Sequence, residues 1–327
     1  MRLHASSGAS RRIVAAACAA AVALCGSGCA LTTPSRAEVR PEAVEPQVSS
    51  SALVEDGVLT VALNTSSAPQ AMLAPDGTVT GYAADIAREL AEKLGLAVAF
   101  VDSAGISALA DGEADIFLGA APSASNDEVE TVGSYLEDAS ALFCREDQAA
   151  SVSASSLAGA TVAVQGSSAA ADALSSAGIS VSQEVCTNVN ECFEALAEGR
   201  ADYVACNAAA GAYLARAYAG VRIAGTLDAP STLQVSVRSS SPELAEAVAE
   251  AFDSVAADGT LDSVRTFWFG SLPGSLSGTL VSGVELKPAR PDEDGPESGE
   301  DDAEASQGEF PSEAEGAIDH DINSFQG

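Results

Sequence analysis

One stretch of the sequence occurs twice, and it constrains the fold more than any other feature. Ala108–Ala120 reads ALADGEADIFLGA, and Ala195–Asn207 reads ALAEGRADYVACN. Each copy contains the end of an amphipathic helix, a glycine, an acidic residue and an apolar run. Gly112 and Gly199 fall where a helix needs a left-handed residue to stop, a conformation that glycine adopts without a Cβ clash. The repeat predicts two similar α/β lobes; the alternative is a chance match in an alanine-rich chain.

The apolar run in each copy indicates where a binding site should lie. Asp115–Gly119 and Asp202–Cys206 are typical of short strands buried on both faces, as in a parallel sheet covered by helices. In open α/β sheets, ligands bind outside the carboxyl ends of the strands. Two such ends that face each other form a cleft, so we expect the site between the lobes.

Charge and histidine content exclude several classes of function. The 327 residues are enough for two lobes and tails. The net charge is −32, and Lys93 and Lys287 are the only lysines. Nucleic-acid backbones need clustered cations, so no nucleic acid is expected as a partner. His4 and His320 lie in terminal segments, which removes histidine general bases and histidine metal sites from the folded body.

The N-terminal residues have the pattern of an export signal. Two arginines precede the apolar run Ile13–Leu24, which is too short to span a bilayer. Small residues before Cys29 resemble a bacterial lipobox, whose cysteine is lipidated after cleavage, although Gly26 stands where an aliphatic residue is usual. The pattern predicts that residues 1–29 form a signal peptide and that Cys29 anchors the protein by its lipid to the outer face of the cell membrane. The alternative is a secreted or periplasmic protein.

Composition predicts disordered segments at both ends of the folded body. Residues 30–52 are rich in Pro, Ser and Glu without a periodic apolar face, and we expect a disordered tether. Residues 273–327 are expected to form a disordered acidic tail, in which Glu285–Gly327 contains fourteen acidic residues. Such a segment buries too little apolar surface to fold. Calcium binding or partner docking by the tail is the alternative.

The order of several segments resembles a known family. They are GVLTVAL at 57–63, GYAADIARELAEKLG at 81–95, LAGATVAVQGSS at 157–168 and ADGTLDSVRTFWFG at 257–270, together with the two repeat copies. Taken in this order, they resemble the extracellular solute-binding proteins of family three, the polar amino-acid binders of ABC importers. The resemblance runs over most of the predicted folded body.

The resemblance implies an α/β fold, a two-lobed periplasmic-binding-protein-like clamp of type II with two crossover strands as its hinge. Lobe one would comprise residues 53–139 plus 230–272, and lobe two residues 140–229. The protein would be a monomer that delivers a small polar solute to an ABC permease. It would be no enzyme and would need no cofactor and no metal. Closure of the lobes on the ligand would be its mechanism.

The resemblance also shows where the ligand anchors of the family are missing. The family places an arginine on the ligand carboxylate, and Asn126 stands at that position here. Asn207 stands where a family aspartate receives the ligand ammonium. Ser67 and Gln70 occupy the loop where the family has aromatic residues. Because neutral amides both donate and accept hydrogen bonds, we expect a neutral polar ligand rather than a free amino acid.

The positions matched to the family, together with one helix start, predict a set of ligand-binding residues. Ser167 and Ser168 precede a helix after a strand, and its N-terminus is able to hold an anionic group. The full predicted set is Ser67, Gln70, Ser123, Asn126, Ser167, Ser168 and Asn207. Two rival interpretations stay open: a degenerate binding fold that has lost its small ligand and binds a protein partner, and an exported dehydratase, for which no acid–base pair is evident.

Four cysteines in the predicted folded body suggest two disulfides, because an exported protein with an even count favours pairing. The resemblance places the strand of Cys144 beside that of Cys206, so it implies the pairs 144–206 and 186–192 among three connectivities. A metal site on the cysteines is the alternative, although their spacing lacks a Cys-x-x-Cys motif. Trp268 is either a ligand platform or, as the resemblance implies, a part of the lobe-one core.

Overall fold

The computed structural model describes residues 44–121, 128–148 and 152–284. These residues form two five-stranded sheets and one small hairpin. The strands are β1 (Val58–Leu63), β2 (Met72–Leu73), β3 (Val79–Thr80), β4 (Ala97–Asp102), β5 (Ile116–Ala120), β6 (Val129–Asp138), β7 (Ser140–Arg145), β8 (Thr161–Gln165), β9 (Ser182–Cys186), β10 (Tyr203–Asn207), β11 (Val221–Thr226) and β12 (Ser231–Arg238).

The strand order shows two lobes joined by two crossovers. The first sheet has the order β4-β1-β5-β12-β6, and we call the part of the chain built on it lobe one. The second has the order β11-β7-β10-β8-β9 and forms lobe two. The chain passes from β6 to β7 through Ala139 and returns from β11 to β12. This arrangement confirms the predicted α/β clamp with two crossover strands as its hinge.

Helices cover the faces of the sheets. In the described residues they are α1 (Tyr82–Leu94), α2 (Ser107–Ala110), α3 (Ala154–Leu157), α4 (Ala169–Ser176), α5 (Val189–Ala197), α6 (Ala208–Ala215), α7 (Pro242–Ala257) and α8 (Thr260–Phe269). Within this part of the chain, no helix is long and apolar enough to cross a membrane.

The clearest predicted helix is α1, and it forms because its apolar residues recur on one face. Ile86, Leu90 and Leu94 are all buried against lobe one, and Gly95 ends the helix in a left-handed conformation with a φ of 70°. The helix begins at Tyr82, with Gly81 as its N-cap residue.

The duplicated stretch folds in the same way in both lobes. Gly112 and Gly199 have φ values of 73° and 75°, as predicted for the residue that stops each helix. The next two amides of each copy donate to one carbonyl oxygen of the helix, that of Ala108 in the first copy and that of Ala195 in the second. The chance-match alternative is therefore wrong, since sequence and hydrogen bonds repeat together.

The acidic residue of each copy joins its strand to the neighbouring parallel strand, β1 in lobe one and β8 in lobe two. Asp115 donates its N–H to the carbonyl of Thr60 at 2.8 Å, and its carboxylate accepts the Thr60 N–H at 2.7 Å. Asp202 makes the same two contacts with Thr161, at 2.8 and 2.9 Å. Both carboxylates thus fix the register of the central strands.

Part of the segment expected to be a disordered tether is packed on lobe one. Among residues 44–52, Val48 is only 5% exposed, and the Gln47 N–H donates to the Leu94 carbonyl at 3.0 Å. A Cβ at Gly95 would lie 2.5 Å from the Val44 carbonyl oxygen, so glycine permits this close approach. The expectation of disorder is wrong here because the segment satisfies the backbone at the end of α1. Residues 30–43 lie outside the described residues.

The first part of the expected tail is also packed, and it crosses back to lobe two. Leu276 is fully buried, and its N–H donates to the Glu137 carboxylate at 2.6 Å. Val281 is 2% exposed in the core of lobe two, and its N–H donates to Thr226 at 2.9 Å. Disorder was expected at 273–284 because its apolar residues are sparse, yet Leu276 and Val281 are each buried in a core. Residues 285–327 lie outside the described residues.

Candidate functional site

The carboxyl ends of β1 and β5 surround a cavity of about 150 Å³ in lobe one. The loop after β1 folds onto the start of α1, where the Ala83 N–H donates to the Gln70 carbonyl at 2.9 Å. Gly81 permits this contact, because a Cβ there would collide with the Gln70 carbonyl oxygen. The cavity is lined by Leu63, Asn64, Ser67, Gln70, Ala71, Ala83, Ala104, Phe117, Leu118, Gly119, Tyr135 and Leu233.

The side chain of Gln70 brings an unpaired amide to this cavity. Its Nε2 and Oε1 atoms are both buried, and neither has a hydrogen-bond partner among the described residues. Buried polar atoms nearly always have partners, and each one left without costs about 1–3 kcal/mol.

Tyr135, near the end of β6, brings a second unpaired group to the same cavity. Its ring packs 5.8 Å from that of Tyr82, whose hydroxyl donates to the Tyr135 carbonyl at 2.8 Å. The Tyr135 residue is only 4% exposed, and its own hydroxyl has no partner among the described residues. Burial raises the pKa of the Tyr135 phenol, so the hydroxyl stays protonated and is a donor at neutral pH.

The carboxyl ends of β8 and β10 surround a second cavity of about 150 Å³ in lobe two. Ser168 lines it, but its hydroxyl donates to the Gln165 carbonyl at 2.7 Å and caps α4 by accepting the Ala171 N–H at 3.2 Å. The whole lining is Ser140, Gln165, Ser168, Ala169, Ala170, Val189, Ala205, Cys206 and Asn207.

Asn207 is exposed at this rim, yet both ends of its amide are engaged within the protein. Its Oδ1 caps α6 by accepting the Ala210 N–H at 3.0 Å. Its Nδ2 donates to the Asp138 carboxylate at 2.6 Å, at the crossover between the lobes. Asp138 also accepts the N–H groups of Ala209 and Ala139, at 3.1 and 3.0 Å. Burial raises the pKa of Asp138, and nearby Asp228 contributes to that rise.

The two cavities lie on either side of one crossover. Tyr135 lines the first and Ser140 lines the second. Five residues of extended chain span at most about 17 Å. No charged side chain lines either cavity among the described residues, although the chain has a net charge of −32.

The structure brings some of the predicted site residues together and leaves others aside. Ser67 and Gln70 line the lobe-one cavity, and Ser168 and Asn207 line the lobe-two cavity. Ser167 is exposed with a φ of 54° and does not line the cavity beside it. Two further predicted residues, Ser123 and Asn126, lie outside the described residues.

Sequence analysis missed Tyr135 and Gln165 as lining residues. The segment that bears Tyr135 has no clear apolar periodicity, and its strand becomes recognisable only from its pairing with β12. Gln165 ends a strand that was predicted, so its position at a carboxyl end was the available signal.

The predicted disulfide between Cys144 and Cys206 is wrong. Cys144 pairs across the sheet with Tyr203, and Cys206 pairs with Ala141, so the two cysteines lie three positions apart. They also point to opposite faces, because side chains alternate along a strand and the two residues belong to different hydrophobic clusters. Neighbouring strands alone do not bring two thiols together.

The other predicted pair remains a prediction. All four cysteines of the folded body are free thiols; the Cys186 Sγ donates to the Glu184 carbonyl at 3.7 Å and the Cys192 Sγ to the Asn188 carbonyl at 3.4 Å. Burial is the main cause that raises the pKa of the Cys192 thiol, and the neighbouring Cys186 adds to it. The described residues contain no cluster of three or more metal-ligating side chains.

Trp268 belongs to the body of the protein rather than to either cavity. It is 8% exposed, its indole N–H donates to Asp85 at 2.8 Å, and its ring stacks on Tyr213 at 5.9 Å. Since Tyr213 follows Asn207 on α6 of lobe two, this stack joins the two lobes away from the cavities.

Comparisons with known proteins agree with this architecture. The family described as bacterial extracellular solute-binding proteins, family 3, matches residues 59–271. An ancestral cationic amino acid solute-binding protein is 26% identical; the match covers 65% of this chain and 96% of that one, with a TM-score of 0.57. No curated protein matches the chain.

Two further solved structures share the fold. The L-cystine solute receptor of Neisseria gonorrhoeae, unliganded and open, is 22% identical over 67% of this chain and 95% of that one, with a TM-score of 0.57. The second substrate-binding domain of Lactococcus lactis GlnP, also open, is 18% identical over 66% of this chain and 96% of that one, with a TM-score of 0.56. These neighbours confirm the predicted type II fold.

Proposed function

Because the chain belongs to the bacterial extracellular solute-binding proteins of family 3, we propose that it captures a small uncharged polar solute between its lobes and delivers it to an ABC permease. Members of this family bind solutes outside the cytoplasm and are not enzymes as a class. The single observation that supports an uncharged solute is the lining of both cavities, which contains no ionised side chain among the described residues.

The charge of the cavities argues against a free amino acid. A buried carboxylate or ammonium without an opposite charge is costly, and breaking such a pair typically costs about 3–5 kcal/mol. The described rim supplies neither a guanidinium for a carboxylate nor a free carboxylate for an ammonium. Two carboxylates lie beside the lobe-two cavity: Asp138 accepts hydrogen bonds from Asn207 and two backbone amides, and Asp228 accepts the Ser140 N–H at 2.8 Å.

The mechanism follows from the two crossovers. A solute that contacts both rims binds the closed arrangement better than the open one, so it shifts the equilibrium toward closure. The permease then recognises the closed clamp. On this proposal the chain is a monomer, and the lipid on Cys29 holds it at the outer face of the cell membrane.

Calorimetry on the purified full chain tests the class of solute. We expect binding to members of a panel of neutral polar compounds and none tighter than micromolar to the standard amino acids. Sub-micromolar binding of any standard amino acid would overturn the uncharged-solute proposal. Native mass spectrometry of protein from its own host identifies a retained solute; a protein partner on pull-down with no solute would favour a degenerate scaffold instead.

The lipid anchor has a separate test. The Cys29→Ala variant should move from the membrane fraction to the medium or periplasm, while its thermal unfolding stays unchanged because Cys29 precedes the folded body. The Cys25→Ala variant is the matched control and should remain with the membrane. Equal release of both variants would contradict lipidation at Cys29.

A further inference from the structure

The unpaired atoms of lobe one define what kind of chemical group completes them. The Tyr135 hydroxyl is a donor, the Gln70 Nε2 is a donor and the Gln70 Oε1 is an acceptor, and none has a partner among the described residues. All three belong to residues that line one cavity. A group that satisfies them must accept hydrogen bonds and donate at least one.

Charged groups satisfy these atoms only in part. A carboxylate accepts from Tyr135 and from the Gln70 Nε2, but it leaves the Gln70 Oε1 facing a negative charge without a donor. An ammonium donates to the Gln70 Oε1 and to the phenolic oxygen of Tyr135, but it has no acceptor for the Gln70 Nε2 or for the Tyr135 O–H. Neither charge finds a counter-ion among the residues that line this cavity.

A planar uncharged group with a carbonyl oxygen and an N–H satisfies all three atoms. An amide pairs reciprocally with another amide, N–H to oxygen on each side, and the second lone pair of the carbonyl stays available to a phenol. The cavity of about 150 Å³ has room for a group of this size. Hydroxyl groups also donate and accept, but a single hydroxyl does not pair in plane with both the Nε2 and the Oε1 of the Gln70 amide.

We propose that the lobe-one cavity is a specificity subsite for a carboxamide or urea group, which pairs with the Gln70 amide and accepts the hydrogen bond of the Tyr135 hydroxyl. This inference rests on the proposed function and narrows it. It assigns Tyr135, which sequence analysis missed, to the binding surface.

The test compares matched amides and acids on the full chain. The probes are propionamide and nicotinamide against propionate and nicotinate, with glycerol and erythritol as compounds that carry only hydroxyl groups. We expect saturation-transfer NMR and calorimetry to show that each amide binds more tightly than its acid. Tyr135→Phe and Gln70→Met should each weaken amide binding about tenfold, as the loss of one or two ligand hydrogen bonds implies. The ratio of the amide affinity to the acid affinity should also fall in both variants.

A control variant and a second measurement separate binding from folding. Tyr218→Phe removes the same hydroxyl from a ring that packs on Phe193 in lobe two and lines neither cavity, so amide binding should not change. Without solute, Tyr135→Phe should unfold at the same or a higher temperature than the wild type, because it removes an unpaired buried group. A lower unfolding temperature would mean that the hydroxyl has a structural partner, which would overturn the subsite.

The outcomes distinguish failure of the subsite from failure of the proposed function on which it rests. Binding of amides that is unchanged in Tyr135→Phe and Gln70→Met would overturn the subsite and leave an uncharged-solute protein. Binding of the polyols but not of the amides would do the same. Tight binding of a charged amino acid would overturn the proposed solute class and the subsite together.

Discussion

The two lobes carry the same repeat, but their polar groups at the cavities differ in one respect. In lobe one, the Gln70 amide and the Tyr135 hydroxyl are buried and unpaired. In lobe two, Ser168 and Asn207 are engaged as helix caps and hinge contacts. The shared scaffold therefore sets where the strands end, and the loops decide whether the polar groups there are free for a solute. On the proposed function, lobe one supplies the polar groups that recognise the solute, whereas the polar groups of lobe two stabilise the fold.

The largest expected effect tests whether the repeat stabilises both lobes equally. Asp115 is fully buried and accepts N–H groups from Thr60 and Val54, whereas Asp202 is partly exposed and its carboxylate accepts only from Thr161. Asp115→Ala should lower the free energy of unfolding by about 3 kcal/mol and Asp202→Ala by about 1 kcal/mol. Urea denaturation of each variant measures the difference. Equal losses would show that burial does not distinguish the two copies.

The next effect concerns the choice of an amide at Asn207. Aspartate caps a helix as well as asparagine does, but Asn207→Asp would place a second carboxylate against Asp138 and remove the donor between them. We expect a loss of about 2 kcal/mol at neutral pH, because a hydrogen bond to a charged group is lost. Thermal unfolding at pH 7 measures it. Asn188→Asp, at the cap of α5, is the comparison: the Asn188 Nδ2 donates to the Glu191 carboxylate over a longer distance, 3.2 Å, so its loss should cost less than that of the Asn207 contact. A stable Asn207→Asp variant would mean that Asp138 is not fixed by this contact.

The pH dependence of stability gives a smaller effect with a definite sign. Burial raises the pKa of Asp138 above its unfolded value, so the unfolded chain releases this proton first as pH rises. Asp138 therefore lowers stability as pH rises from about 4 through its raised pKa, and it has no effect below the unfolded pKa. Relative to the wild type, Asp138→Asn should gain stability between pH 4 and pH 7.

Exposed Asp253 on α7 provides the control for that measurement. Asp253→Asn removes the same charge without a buried carboxyl, so its difference from the wild type should change less with pH. If both variants followed the same curve, loss of a charge from an acidic chain, rather than burial at the hinge, would account for the effect.

The smallest expected change in stability compares an unpaired polar side chain, Gln70, with a hydrogen-bonded one, Asn207. Gln70→Met removes an amide that has no partner, so the solute-free protein should be unchanged or slightly more stable. Asn207→Ala removes a helix cap and a hinge contact and should cost about 1 kcal/mol. Differential scanning calorimetry without solute compares them. A clear loss in Gln70→Met would place Gln70 with the structural residues of lobe two.

Sequence predicted the parts of the fold that depend on local patterns. The helix stops of the repeat follow from Gly112 and Gly199, and the strands β5 and β10 follow from the apolar runs after them. The strands β6 and β11 were missed because each is recognisable mainly by its long-range pairing. Packing of 44–52 and 273–284 was missed for the same reason, since their few apolar residues meet cores built by distant parts of the chain.

The candidate site was predictable only in its location. The repeat led to Asn207 and the family resemblance led to Gln70; both line cavities in the structure, and their role in binding stays a prediction. Whether an amide is free depends on its neighbours, and the partner of Asn207 is Asp138, 69 positions earlier in the chain. The failed pairing of Cys144 with Cys206 has a similar cause, because strand order is easier to infer than the face to which a side chain points.

The segment 271–284 adds a third link between the halves of the clamp, held to Glu137 at one end and to Thr226 at the other. Two neighbouring strands permit twisting as well as bending, whereas a link anchored at separate points resists the twist. The two lobes can then open in fewer directions, so less conformational entropy is lost when a solute closes the clamp. A hinge restricted in this way lets the clamp retain a solute that makes few contacts.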